Sequence, residues 1–317
     1  VLGLIGAGGV GQVLLESVPL DIEGARGTDL ADTLIGSDVA NSFRGSRGAD
    51  VIRGSLGNDT TDHRNDADGV TGGAGGPGDG FGAIINLSAG AVTIGGFGAE
   101  SNITVAAFTA RDGWGDTDTL ESIESARGTS FNDFLAGFAA TPLFRFGDIN
   151  FRPVDRSFLT GRQGDDTLMA QSTIDGVMAS YTDDQDGIIA RLDLGNFIED
   201  GFGNRDLLIN ITAVQGSSSA DVLTASALGS FFRARGGNDS ITGGTGFDTA
   251  SYITGTTGAY VNLLTGIAED GEGGTDSLSG SIESISASGS FADTMVGDAD
   301  GTWFFGGAGA DGMLVHA

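Results

Sequence analysis

The fold is decided by residues 27–62, which divide into four consecutive units of nine residues: "GTDLADTLI", "GSDVANSFR", "GSRGADVIR" and "GSLGNDTTD". In these units the first position is Gly, the sixth is Asp or Asn, and the eighth is Leu34, Phe43, Ile52 or Thr61. A period of nine does not fit the roughly 3.6 residues of a helical turn, and the Gly that opens every unit further disfavours a helix. Each unit therefore predicts a Gly-rich turn followed by a short strand that buries one side chain.

The same frame returns along the chain. We call each unit a nonapeptide and each tandem group a cassette. The cassettes cover residues 27–62, 128–178 (with an insertion at 146–160), 216–251 and 288–314. They contain fifteen nonapeptides, of which eleven have Gly at the first position and eleven have Asp at the sixth. If two nonapeptides make one coil, the eighth-position side chains stack in the middle. The predicted fold is all-β, a right-handed parallel β-roll or β-solenoid.

The domain organisation follows from the cassettes. We expect one continuous β-solenoid over residues 1–317, with 1–26 as its opening segment. Longer β-strand interludes separate the cassettes at 63–127, 179–215 and 252–287. Each interlude contains alternating strands, such as "GAIINLSAGAV", and one turn of the form D-G-x-G-x-x-D.

The nonapeptides resemble the hemolysin-type calcium-binding repeats of the RTX family, whose pattern is G-G-x-G-x-D-x-U-x. The closest matches are "GSLGND", "GRQGDD", "RGGNDSIT", "GGTGFD" and "GGAGAD". The resemblance implies a parallel β-roll that binds several Ca²⁺ ions between its turns. It also implies type I secretion from a Gram-negative bacterium, followed by folding outside the cell. The expected location is therefore extracellular or on the cell surface.

The chemistry of the residues supports the same ion. Ca²⁺ takes six to eight oxygen ligands from carboxylates and backbone carbonyls, and the sixth-position Asp provides a carboxylate in most nonapeptides. Nonapeptides two apart stack on one side of the roll. This pairs Asp32 with Asp50, Asp133 with Asp166, Asp221 with Asp239, and Asp293 with Asp311; on the other side Asp59, Asp175 and Asp248 face the weaker partners Asn41, Pro142 and Ser230.

The early nonapeptides of each cassette depart from the family pattern. They have Leu30, Phe131, Ser219 or Phe291 in place of the fourth-position Gly. Two alternatives stay open for them: their Asp residues bind Ca²⁺, or the turns are metal-free and the Asp accepts hydrogen bonds from backbone N–H groups.

The D-G-x-G-x-x-D turns add further candidate metal ligands. Two alternatives apply equally, because the paired carboxylates could hold Ca²⁺ or the first Asp of each pair could cap its own hairpin turn. The pairs are Asp112 with Asp118, Asp200 with Asp206, and Asp270 with Asp276.

The first residues of the chain resemble a dinucleotide-binding turn, with Gly6, Gly8 and Gly11 in a G-x-G-x-x-G pattern. Such a turn needs a helix, a second strand and an acid about 20 residues further on. Only ten residues separate Gly11 from Asp21, and Pro19 lies among them. A dehydrogenase is therefore not expected.

Composition limits the partners. The chain has 43 acidic residues against 15 basic ones, all of them Arg, and a formal net charge of −28. Nucleic acid and anionic membranes are repelled by such a chain. There is no Cys, and no apolar run is long enough for a transmembrane segment. His63 and His316 belong to no catalytic pattern, so we do not expect an enzyme.

Two functions remain. The leading one is an extracellular calcium-binding structural protein, a surface-layer, fibre or matrix component that forms a homo-oligomer or polymer through solenoid contacts. A cell-surface glycan is a further candidate partner. The alternative is the carboxyl-proximal calcium-binding and export region of a larger secreted enzyme, toxin or adhesin. A third reading, a polysaccharide-acting β-helix enzyme, would need clustered Asp and Arg outside the repeat positions, which we do not find.

Overall fold

The structure is a computed structural model that describes residues 11–14, 23–66, 81–95, 102–138, 157–173, 176–287, 289–299 and 301–315. These residues form strands and turns, and none of them is in a helix. The predicted all-β roll is confirmed. The chain divides into two compact units, Val1–Met178 and Ala179–Ala317, and each is described by itself. That one solenoid runs through the whole chain stays a prediction.

Sixteen short strands begin in the first unit, and the last of them continues past Met178, where that unit ends. They are β1 (Gly11–Leu14), β2 (Gly24–Arg26), β3 (Asp32–Ile35), β4 (Ser42–Arg44), β5 (Val51–Arg53), β6 (Thr60–Asp62), β7 (Phe81–Asn86), β8 (Val92–Gly95), β9 (Asn102–Val105), β10 (Thr109–Arg111), β11 (Thr117–Glu121), β12 (Ser125–Arg127), β13 (Asn132–Ala136), β14 (Ser157–Thr160), β15 (Thr167–Met169) and β16 (Val177–Ser180).

Successive nonapeptides of the first cassette place their strands alternately in two parallel sheets. β3 and β5 belong to one sheet, and β4 and β6 belong to the other. β3 pairs with β5 so that Leu34 lies beside Ile52, and β4 pairs with β6 so that Phe43 lies beside Thr61. Residues 18 positions apart are therefore neighbours, as two nonapeptides per coil require.

The first interlude inserts antiparallel strands into the parallel sheet. β11 pairs with β5 in parallel, β10 runs antiparallel between β11 and β7, and β7 pairs with β13 in parallel. A separate antiparallel hairpin, β8 with β9, packs Val92, Ile94 and Val105 against Ile84 and Phe134. The interlude thus extends the roll and adds a small core beside it.

The second unit repeats this architecture. Its strands are β17 (Ile189–Arg191), β18 (Phe197–Glu199), β19 (Arg205–Ile209), β20 (Ala213–Gln215), β21 (Val222–Thr224), β22 (Phe231–Arg233), β23 (Ser240–Thr242), β24 (Thr249–Ser251), β25 (Tyr260–Asn262), β26 (Ile267–Glu269), β27 (Thr275–Ser279), β28 (Ser284–Ser286), β29 (Thr294–Val296), β30 (Trp303–Phe305) and β31 (Gly312–Leu314).

In the second unit β21 pairs with β23 and β22 pairs with β24, so Leu223 lies beside Ile241 and Phe232 beside Ala250. The antiparallel strands β26 and β25 are again inserted, between β27 and β29. β20, β22, β24, β28 and β30 form the opposite sheet. Both described units therefore use the same coil and the same type of insertion.

The core is the column of eighth-position side chains. Burial of one Leu, Ile or Phe side chain contributes about 1.5–3 kcal/mol. Phe304 and Met313 are the exceptions, since Phe304 is partly exposed and Met313 is 50% exposed. Phe144 lies outside the described residues. The predicted core residues that are at most 1% exposed are Leu34, Phe43, Ile52, Leu135, Leu168, Val177, Leu223, Phe232, Ile241 and Met295.

One predicted boundary is wrong. The insertion was placed at 146–160, but residues 157–160 form β14, which pairs with β12 so that Leu159 lies beside Ala126. Leu159 is fully buried and takes the core position expected for Phe144.

Candidate metal site

Carboxylates form a hydrogen-bonded column along one side of the first cassette. The Oδ1 atom of Asp50 accepts a hydrogen bond of 2.7 Å from the backbone N–H of Asp32 in the preceding coil. Asp118 does the same in turn, and its Oδ1 accepts a bond of 2.9 Å from the N–H of Asp50. All three residues are at most 4% exposed. Asp50 therefore joins two coils, its carboxylate to one and its N–H to the other.

The second unit contains a longer column of the same kind. Asp221 accepts from the N–H of Ile188 at 2.7 Å, Asp239 from Asp221 at 2.8 Å, and Asp276 from Asp239 at 3.0 Å. The repetition across different interludes shows that the sixth position is a coil-to-coil joint.

The remaining sixth-position residues occupy shorter columns. The predicted pairs Asp133 with Asp166 and Asp293 with Asp311 stack through N–H to carboxylate bonds, as do the predicted pairs Asn41 with Asp59 and Ser230 with Asp248. Asp175 lies outside the described residues.

The first-position Gly makes room for the carboxylate of its own nonapeptide. A Cβ atom on Gly45 would collide with Oδ2 of Asp50 and would lie 3.4 Å from Oδ2 of Asp118. A Cβ on Gly54 would meet both Oδ2 of Asp59 and the carbonyl oxygen of Ser122. The backbone φ of these two Gly residues is not positive, so the requirement is steric.

Several of these carboxylates keep an unsatisfied oxygen. Within the described part of the chain, the buried Oδ2 atoms of Asp50, Asp59 and Asp239 have no hydrogen-bond partner, and the same is true of Asp118. Leaving a buried polar atom unpaired costs about 1–3 kcal/mol, and more for a charged group. A bound cation would remove that cost.

The pKa values of these carboxyl groups reflect the same cost of burying a charge without a partner. Burial raises the pKa of Asp50 and of Asp59 from 3.8 to about 7, although a backbone hydrogen bond to each opposes the change. Burial raises the pKa of Asp239 to about 8, and the charges of neighbouring carboxylates, including Asp276, add to it. The charged forms are thus destabilised where no cation compensates them.

The acidic turns of the interludes are themselves nonapeptide turns, which the sequence comparison missed. Asp118 and Asp276 occupy the sixth position of a column, and Leu120 and Leu278, two residues later, are buried like eighth-position residues. The fragments "GWGDTDTLE" and "GEGGTDSLS" contain the pattern, with Asp and Leu at the expected spacing. The nonapeptide pattern was therefore present in the sequence, but outside the tandem nonapeptides of the cassettes.

The first Asp of each acidic turn caps that turn. Oδ1 of Asp112 accepts from the N–H groups of Trp114 and Asp116, and Oδ1 of Asp270 accepts from Glu272, Gly273 and Gly274. In the second interlude, Asp200 caps its turn in the same way, and Asp206 accepts a hydrogen bond of 3.0 Å from the Tyr181 hydroxyl. The capping alternative describes these contacts, while metal binding by these turns stays a prediction.

Two Glu residues join the columns on the opposite side. Glu124 accepts from the N–H of Asp59 at 2.9 Å, and Glu283 accepts from the N–H of Asp248 at 2.8 Å. Sequence reasoning missed both residues, because the turns that carry them lack Gly at the first position.

The donor set fits Ca²⁺. Among the described residues, no three acidic or His side chains come together as a metal-binding group. An ion in these columns would therefore use one or two carboxylates and complete its shell with carbonyl oxygens, an oxygen-only set that Ca²⁺ accepts and Zn²⁺ seldom uses. Carboxylate and carbonyl oxygens already converge at Gly54, where a Cβ atom would meet Oδ2 of Asp59 and the carbonyl oxygen of Ser122.

Comparison with known families agrees with this geometry. Residues 26–61 and 215–250 match the family model of the RTX calcium-binding nonapeptide repeat, in four copies. The matched segments are the first and third cassettes in a frame offset by one residue. The chain thus contains RTX repeats, as predicted; such repeats bind calcium and are typical of proteins secreted by Gram-negative bacteria. No curated protein matched the chain. No helix in the described residues is long and apolar enough to cross a bilayer.

Proposed function

We propose that the chain is an extracellular structural protein, a component of a surface layer, fibre or matrix, whose β-roll folds and associates when Ca²⁺ enters the carboxylate columns. The observation that carries the proposal is the set of buried, partly unsatisfied carboxylates at Asp50, Asp59 and Asp239. The proposal includes no catalytic role, since the buried acids take part in coil-to-coil joints and turn caps. A cell-surface glycan stays a predicted partner.

Association would use the exposed apolar residues of β30 and β31 in the second unit. Within the described residues, β31 pairs in parallel with β29. Trp303, Met313 and Leu314 are 46%, 50% and 61% exposed in these two strands. An exposed apolar strand of this kind readily pairs with another chain. Partial neutralisation of the net charge of −28 by Ca²⁺ would reduce the repulsion between copies.

The test is sedimentation velocity of the full chain in a few millimolar CaCl₂ and again in EGTA. We expect large species in calcium, their loss in EGTA, and their loss in calcium when Leu314 is replaced by Glu. Leu228→Glu is the matched control, because Leu228 is 77% exposed elsewhere. A compact monomer under every condition would overturn the structural role. It would favour the alternative, a calcium-dependent folding and export region of a larger secreted protein.

A further inference from the structure

Two kinds of turn recur among the nonapeptides, and they differ in what satisfies the sixth-position carboxylate. In the first kind, the second-position residue donates twice. Thr129 donates its N–H to Oδ2 of Asp133 at 2.7 Å and its hydroxyl to Oδ1 at 3.0 Å. Ser217 donates to Asp221 in the same way, at 2.9 and 3.0 Å. The N–H and hydroxyl of Thr28 both donate to Oδ2 of Asp32.

The same hydroxyl also holds the rest of the turn. It accepts a hydrogen bond from the N–H of the fourth-position residue: from Phe131 to Thr129 at 3.0 Å, and from Ser219 to Ser217 at 3.0 Å. These turns all lack the fourth-position Gly; the turn with Phe291 also lacks it, but has Gly289 in place of the Ser or Thr. In these turns, hydrogen bonds from the second-position Ser or Thr side chain therefore fix the conformation, in place of residues with positive φ. We call these nonapeptides locked.

The second kind of turn has the opposite features. Its second- and fourth-position residues both have positive φ, for example +72° at Ser46 and +108° at Gly48. The hydroxyl of Ser46 accepts a hydrogen bond from Arg26 and does not contact Asp50. Three of the carboxylates that keep a buried oxygen without a hydrogen-bond partner, those of Asp50, Asp59 and Asp239, belong to this kind. We call these nonapeptides open.

We propose that the hydroxyls of Thr28, Thr129 and Ser217 stand in for calcium in the locked nonapeptides, so that ions enter only at the open ones. The inference rests on the proposed calcium-binding function. A hydroxyl and an N–H already satisfy the carboxylate in a locked turn, and an ion would have to displace them. In an open turn the free oxygen has only the ion as a partner.

Uncharged versions of the lock occupy the opposite side of the roll. The N–H of Ser37 donates to Oδ1 of Asn41 at 2.7 Å, and the N–H of Ser226 donates to the hydroxyl of Ser230 at 2.9 Å. Both turns precede an open or Gly-rich turn of the same cassette. A coil with a locked side and an uncharged side needs no cation.

The order of locked and open turns has a consequence for folding. In the first and third cassettes a locked coil comes first, and its N–H groups already hold the carboxylates of the next coil, as Asp32 holds Asp50 and Asp221 holds Asp239. The locked coil can therefore order without calcium and serve as the template on which the open coil folds when calcium arrives.

The deciding experiment compares Asp221→Asn with Asp239→Asn, two neighbours in one column. Bound calcium is counted by equilibrium dialysis, and thermal unfolding is followed with calcium and in calcium-depleted buffer. We expect Asp239→Asn to lose at least one ion, to lower the melting temperature in calcium, and to leave it unchanged or raise it without calcium. Asp221→Asn should keep the ion count and lower the melting temperature in both buffers, because an amide cannot accept from all three donors.

A second variant distinguishes loss of the lock from general misfolding. Ser217→Ala should raise the unfolding equilibrium constant by at least about tenfold in both buffers, because the Ser217 hydroxyl hydrogen-bonds both Asp221 and Ser219 and each such bond contributes about 1 kcal/mol, without changing the ion count. Ser218→Ala, at an exposed neighbouring position, is the control. If Asp221→Asn loses an ion as Asp239→Asn does, or if Ser217→Ala acts only with calcium, the lock is refuted. If the unmodified chain binds no calcium, the proposed function itself fails.

Discussion

The columns make the stability of the calcium-free chain depend on pH in an unusual direction. The pKa values of Asp50 and Asp59 are raised to about 7, and that of Asp239 to about 8, above an ordinary value of 3.8. Because these folded-state values exceed the unfolded ones, their contribution to stability is fully present below about pH 4. It is lost progressively as the pH rises from about 4 and is gone once the pH has passed the folded-state values of about 7 to 8.

The size of the effect follows from the same values. A change from 3.8 to about 7 in one carboxyl pKa corresponds to about 4 kcal/mol, at about 1.4 kcal/mol for each pH unit. A domain is stable by only about 5–15 kcal/mol, so two or three such groups can decide whether the calcium-free chain is folded. Calcium should reverse the trend, because it binds the ionised form and competes with protons.

The assay is urea unfolding followed by circular dichroism at pH 5 and pH 8.5, in calcium-depleted buffer and in millimolar CaCl₂. We expect the calcium-free chain to be less stable at pH 8.5, and the calcium-bound chain to be more stable there. Asp239→Asn should weaken the calcium-free pH dependence, whereas Asp38→Asn, which removes an exposed charge, should leave it nearly unchanged. Calcium-free stability that rises with pH would refute the reasoning.

Three further predictions test the packing. Gly45→Ala should lower calcium affinity and stability, because its Cβ collides with a column carboxylate. The control is Gly90→Ala, whose Cβ meets nothing within 4 Å. It should change the free energy of unfolding by less than about 0.5 kcal/mol in urea titrations. Leu223→Ala should cost about 2–5 kcal/mol by the same measurement, and the exposed Leu228→Ala should cost little; equal losses would contradict the stacked core. Burial alone would lower the pKa of His63, but its hydrogen-bonded carboxylate raises it to about 9, so an NMR titration midpoint at or below 6.5 would contradict the buried ion pair.

The repeating part of the molecule could be predicted because each coil uses the same few interactions. A period of nine placed Leu34 beside Ile52 and Leu223 beside Ile241 without knowledge of the structure. It also placed Asp239 directly after Asp221 in its column. Where nonapeptides run in tandem, distance along the chain fixes the neighbour in space, so local pattern was sufficient.

The interludes were harder because they break that relation. Asp50 donates to Asp118, 68 residues further along the chain, since antiparallel strands fill the space between their coils. The nine-residue period does not indicate how many residues of an interlude lie outside the coil. The same limit explains why Leu159, which lies inside the predicted insertion, was not expected in the core. The distinction between locked and open turns required the hydrogen bonds themselves.

The central claim is that calcium in the carboxylate columns stabilises the β-roll, and a far-UV circular dichroism titration of the full chain at pH 7.5 tests it most directly. We predict that EGTA removes a large part of the β signal, that excess Ca²⁺ restores it, and that the same concentration of Mg²⁺ does not, because Mg²⁺ demands a tighter octahedral geometry. A spectrum that is the same in EGTA and in calcium would contradict the claim.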